Sequence, residues 1–155
     1  MGKKGKKKGP PPVCNCCLLC DEVVQRFARQ KDVLEGIING LNVEGFPARL
    51  AVAVIYIRLT NLRPVPNETV KVDFVHSGDD SCVVLSGTVE VPDSPDPFGV
   101  YTLTIAVRDL IFPRSGRYLL RVMHDEVPLA HTPIEVIGPE SGDEKENDNA
   151  DSRDE

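Results

Sequence analysis

The stretch 109–122, DLIFPRSGRYLLRV, decides the architecture. Its first half is apolar, and it then breaks at Pro113-Arg114-Ser115-Gly116, a turn signal built on Pro and Gly. It resumes as a strand in which Tyr118, Leu120 and Val122 alternate with Arg117 and Arg121. That two-residue period puts the first set on a buried sheet face and the arginines on the other. A tyrosine directly after such a turn is suited to a corner. Its ring fills core volume, while its one polar atom satisfies a backbone group that would otherwise be orphaned. The reading predicts a bond from the Tyr118 hydroxyl to backbone within residues 110–115.

Working outward, short β-branched segments recur at 13–24, 33–41, 50–60, 68–76, 82–91, 100–108, 117–124 and 129–137. Between them stand GFPA (45–48), NLRPVPN (61–67), SGDD (77–80) and PDSPDPFG (92–99). Only 22–34 has mixed periodicity, and its β-rich surroundings favour a strand end followed by a loop or a single turn. Alternation assigns Val70, Val72 and Phe74 inward against Lys71 and Asp73. It assigns Val83, Leu85, Val89 and Val91 inward against Ser86, Thr88 and Glu90, and Tyr101, Leu103, Ile105 and Val107 inward against Thr102, Thr104 and Arg108. The segment 50–60 is apolar on both faces, as in a central strand covered on both sides or at a contact surface. Evenly spaced strands with these turns predict an all-β fold, a two-layer antiparallel sandwich of about eight strands. The Tyr118 corner makes that sandwich immunoglobulin-like.

The 155 residues suffice for one such domain, at 13–138. Charge divides the rest. Residues 1–10 carry five lysines and no acid, and residues 140–155 carry eight acids against Lys145 and Arg153. Neither end has aliphatic residues to anchor a core, so 1–12 and 139–155 are expected to be disordered tails. The Lys-rich arm could offer phosphate-rich partners only salt-sensitive, sequence-blind attraction. No apolar run approaches the ~20 residues of a membrane-spanning helix. The basic start followed by VCNCCLL superficially resembles a signal peptide, but its apolar run is near the ~7-residue minimum, Pro10-Pro11-Pro12 separate it from the lysines, and Asp21-Glu22 stand where a cleavage site would be. A cytoplasmic protein is the expectation.

CDEVV near the start, KDVLEGIINGL, FPARLAVAVIYIRLT and LIFPRSGRYLLRV, in that order, resemble an uncharacterised bacterial family of single-domain proteins, a domain of unknown function. The resemblance spans roughly residues 13–138 and implies a β-sandwich without supplying an active site. The cysteine cluster and the charged tails depart from it.

Chemistry has few places to reside. Cys14, Cys16, Cys17 and Cys20 offer four soft ligands within seven residues, with Cys82 far away. A regular strand over 13–24 would put Cys14, Cys16 and Cys20 on one face and Cys17 on the other, preventing four-fold ligation. No second ligand pair exists elsewhere in the chain, and small buried hydrophobes in a reducing compartment explain these residues better than a metal site does. His124 and His131 flank a hairpin, but matching the core faces of its strands demands an odd loop and opposite faces for the two imidazoles. His76 ends a strand. Asp79-Asp80 and Asp93/Asp96 lie in turns without a regular calcium-loop spacing. No nucleophile elbow, phosphate-binding loop or dinucleotide fingerprint occurs. No catalytic residue, cofactor or metal ligand is therefore assigned. The expectation is a non-catalytic module acting through an unknown protein partner, with nucleic acid and membrane as unfavoured partners. A metal or redox role for the cysteines is the alternative, and weak nucleic-acid association through the Lys-rich arm a second.

Overall fold

A computed structural model of the chain describes residues 9–26, 31–63 and 65–139. Most of both expected tails, 1–8 and 140–155, lies outside the described residues. Among the described residues nine strands form: β1 (Val13–Arg26), β2 (Lys31–Ile37), β3 (Gly40–Asn42), β4 (Ala48–Thr60), β5 (Thr69–His76), β6 (Asp79–Glu90), β7 (Tyr101–Phe112), β8 (Gly116–His124) and β9 (Val127–Ile137). They make a four-stranded sheet, β2-β1-β4-β7, and a five-stranded sheet, β3-β9-β8-β5-β6. The fold is the all-β sandwich expected. Every pairing is antiparallel except β3 with β9. β4 beside β7 takes the place of immunoglobulin strands B and E, and β9-β8-β5 takes that of G, F and C. Among the described residues no helix is long and apolar enough to cross a membrane.

The expected strand 33–41 is two strands in different sheets. The Ile38 amide still donates to the Leu19 carbonyl of β1 at 2.8 Å, whereas the next carbonyl, Asn39, accepts from the Glu135 amide of β9 at 3.2 Å. The chain changes layers within two residues, so one apolar run serves both sheets.

The core lies between the layers, where Leu19, Ile55, Ile57 and Leu59 meet Phe74, Tyr118, Leu120 and Ile134, all fully buried. Alternation holds along β5, β7 and β8 as read from sequence, and fails where a bulge inserts a residue. In the β5–β6 pair the register shifts between Phe74 and Val75, which turns Cys82 and Val84 toward the core. Val83, expected inside, is 51% exposed. In β4 the inward positions slip from Ala48 and Leu50 to Ala53 and Ile55, opposite Asp109 at a φ of 55° in β7. Val52 is thereby left outside and exposed, so β4 is covered on its outer face only around Tyr56.

Asp73 faces outward as expected, yet is only 3% exposed. A buried carboxylate needs a partner. Arg121, opposite it on β8, supplies one by donating from Nε to Oδ1 at 2.7 Å and from Nη2 to Oδ2 at 3.2 Å.

The corner read from 109–122 is present. The Tyr118 hydroxyl donates to the Arg114 carbonyl at 2.7 Å. The Tyr118 ring meets Phe74, Phe112 and His76 edge-on, with centroids 5.0–6.1 Å apart. Such pairs are worth about 0.5–1.5 kcal/mol each beyond the area they bury. Gly116, at a φ of 131°, lets the chain enter β8 there; a Cβ would collide with the His76 ring.

Candidate functional site

The corner lies at one end of the sandwich; the opposite end is built differently. There the β4–β5 loop, the β6–β7 loop and the β8–β9 turn converge with the segment entering β1. In immunoglobulin variable domains the B–C and F–G loops, which correspond to the first and last of these, form the recognition end. A cleft of about 760 Å³ opens between the β4–β5 loop, the β8–β9 turn and the segment entering β1, lined by Pro10–Val13, Arg63, Val65, Glu68 and His124–Leu129 in part. Three of the exposed large hydrophobics, Val13, Val65 and Val127, belong to this lining.

The β8–β9 turn shapes one wall. It has two residues, Asp125 and Glu126, both in the left-handed region at φ values of 47° and 65°. Two-residue hairpins require that conformation to follow the strand twist. Sequence reading expected an odd loop. The structure instead combines this even turn with a register shift between Val122 and Met123, so the core match of Tyr118 with Ile134, and of Val122 with Ala130, is kept. The opposite faces of the two histidines also hold: His131 opposes Arg121 on the outer side, while His124, the last residue of β8, turns into the cleft.

His124 meets two carboxylates there. Glu68, just before β5, has its backbone fixed by the Val91 amide, which donates to the Glu68 carbonyl at 2.8 Å. Its Oε1 lies 2.7 Å from His124 Nε2. Asp125 Oδ2 lies 3.6 Å from Nδ1. One ligand atom from each of the three residues falls within 4.8 Å of the other two. The His124 and Glu68 side chains are largely buried and Asp125 is exposed. None of the three was singled out from sequence as a set. Residues 68 and 124 are distant in the chain, and an Asp-Glu turn carries neither the Gly nor the Asn that would have marked a two-residue hairpin.

The β6–β7 loop adds an aromatic group at the same end. Asp96 Oδ1 accepts from the amides of Phe98 at 2.8 Å and Val100 at 2.9 Å, and the Asp96 carbonyl accepts from Gly99 at 3.0 Å. The carboxylate thus organises its own loop, as short polar side chains do in turns. The Phe98 ring it presents is 78% exposed. Asp79, the other acidic turn, bonds Ser81 and pairs with Arg114, and both hold its carboxyl below the usual range.

The cysteines divide between the faces of β1, but not as expected. A register shift between Cys14 and Cys16 turns Cys14 and Cys17 toward the core and leaves Cys16 and Cys20 on the outer face. The backbone of β1 stands between the two pairs. Burial pushes the Cys17 thiol up to about 12, and burial also raises those of Cys14, Cys16 and Cys20. Protonated thiols are poor nucleophiles at neutral pH. All five cysteines are free. A second concavity, about 320 Å³ between the unpaired edges of β6 and β7, is lined by core residues such as Leu85, Val89 and Ile105, with Arg108 at its rim.

Comparison with known families gives one match: the model of a family of unknown function (DUF6941) covers residues 15–137. No curated protein matches the chain.

Proposed function

The chain belongs to the DUF6941 family of unknown function, and from that premise we propose that it is a non-catalytic β-sandwich module acting through protein contacts at its cleft end. The observation that carries the proposal is the gathering of Val13, Val65 and Val127 around one cleft, with Phe98 held out on an ordered loop at the same end. Solvent-facing apolar groups grouped and rimmed by polar ones mark contact surfaces, whereas scattered ones mark nothing. A fold of this kind hosts many functions, so function follows from the site and not from the sandwich. The division of the amino-terminal cysteines between the two faces of β1 disfavours reading them as one metal or redox centre, and their free thiols suit a reducing, cytoplasmic setting.

Site-specific photo-crosslinking in cells tests this. A crosslinking side chain at position 65 or 98 should capture a discrete protein, and one at the exposed position 83 on β6 should not. Equal capture at all three positions, or none at 65 and 98, would overturn the proposal.

A further inference from the structure

The His124 cluster presents an electrostatic problem with a definite chemical solution. Glu68 Oε1 at 2.7 Å from Nε2 requires a proton between them, so Nε2 donates to the carboxylate. In the neutral imidazole Nδ1 is then an acceptor, and it faces Asp125 Oδ2, another acceptor, at 3.6 Å. Two acceptors 3.6 Å apart, too far for a hydrogen bond between them, with a second carboxylate within 4.8 Å, form a place suited to a positive species. Either Nδ1 takes a second proton or a cation sits there. The spacing favours the cation. Ligands held tetrahedrally about 2.0–2.1 Å from zinc stand about 3.3 Å apart, so 3.6 Å is within a small side-chain rotation of that geometry. A carboxylate on the far ring nitrogen is also the partner that a metal-bound histidine ordinarily has, because it fixes the tautomer and raises the basicity of the ligating nitrogen.

We propose that the cleft binds a divalent transition-metal ion of the zinc class through His124 Nδ1 and Asp125 Oδ2, with Glu68 as the positioning residue that holds the imidazole. The imidazole selects zinc, copper or nickel over calcium and magnesium, which prefer all-oxygen shells. Two protein ligands leave the remaining positions open toward the cleft, where water or a donor group of an incoming molecule completes the shell. The turn helps, since Asp125 is the residue immediately after His124 and its left-handed backbone brings its carboxylate back to the ring. His131, on the outer face opposite Arg121, takes no part.

The test is a zinc sulfate titration of the full-length, ¹⁵N-labelled protein at neutral pH, reading the ring nitrogens of each histidine. The expected result is a metal-induced shift of His124 Nδ1 that saturates at one equivalent while Nε2 keeps its proton and His131 is unmoved. Calorimetry should then give about 10–100-fold weaker binding for Glu68→Gln, which keeps an acceptor on Nε2 but loses the charge. Asp125→Asn retains a residue that tolerates the left-handed turn, and should weaken binding at least as much, so the proposal is tested even if His124→Ala fails to fold. Zinc bound with the His124 nitrogens unmoved would overturn it by pointing to the cysteines. A His124 ring protonated on both nitrogens and indifferent to zinc would overturn it in favour of a double ion pair.

Discussion

The two ends of this sandwich spend their residues differently. At the corner end Tyr118 is fully buried, its hydroxyl bonded to Arg114, its ring met edge-on by Phe74, Phe112 and His76, with Gly116 making room. At the cleft end, valines and Phe98 face solvent, a histidine lies between two carboxylates, and two consecutive non-glycine residues hold left-handed backbone. One end is complementary to itself. The other leaves apolar groups grouped around a cleft, and on the proposed reading stability belongs to the first end and recognition to the second.

Substitutions can break that contrast at its strong end. Phe74→Ala, at a fully buried position, should cost the most, about 3–5 kcal/mol in denaturant unfolding. Gly116→Ala should follow at about 2 kcal/mol or more, since the new Cβ meets His76 in a backbone conformation that alanine resists. Tyr118→Phe should cost about 1–3 kcal/mol although the ring is kept, because the Arg114 carbonyl loses its donor. A neutral Tyr118→Phe would remove the corner from the account.

Tyr56 sharpens the same point. Its side chain is 3% exposed, and its hydroxyl donates to Asp32 Oδ2 at 2.6 Å. Asp32 itself is exposed, so water can replace the lost donor, and Tyr56→Phe should cost about 1 kcal/mol, less than Tyr118→Phe.

Alkaline stability gives a smaller test with a fixed sign. The Cys17 thiol is raised from 9.0 to about 12 by burial, so the unfolded chain loses that proton first. Stability is therefore intact below pH 9 and declines as pH rises toward 12. Burial raises the Tyr56 and Tyr118 phenols as well, which acts in the same direction. Thermal unfolding followed from pH 8 to about 12 should show a shallower decline for Cys17→Ala than for the parent chain. Parallel curves would mean that Cys17 does not carry the effect.

The stronger end was legible in the sequence because its logic is local. Pro-Arg-Ser-Gly before Tyr118 sits within a few residues of the carbonyl that Tyr118 binds, and regular alternation along β5, β7 and β8 names their core faces. Bulges were not legible. Each adds one residue to one strand and reverses every face beyond it, which is why Val83 emerged and why Cys14 and Cys17, not Cys14 and Cys16, share the core side. The cleft cluster was invisible for a third reason. The sequence pattern sets His124 against His131 across a hairpin, whereas its true neighbours are the residue after it and a glutamate brought over by β5–β8 pairing.

The most direct test of the division of labour pairs unfolding with contact. The account predicts that Val65→Asp with Val127→Asp leaves the unfolding free energy within about 0.5 kcal/mol of the parent chain, as surface changes do, and abolishes capture of a protein partner by a crosslinker at position 98. Tyr118→Phe should do the reverse, lowering stability while capture persists at temperatures where the protein remains folded. Undiminished capture by the double variant, or a loss of stability from it matching that of Tyr118→Phe, would contradict the claim that the cleft end is built for contact.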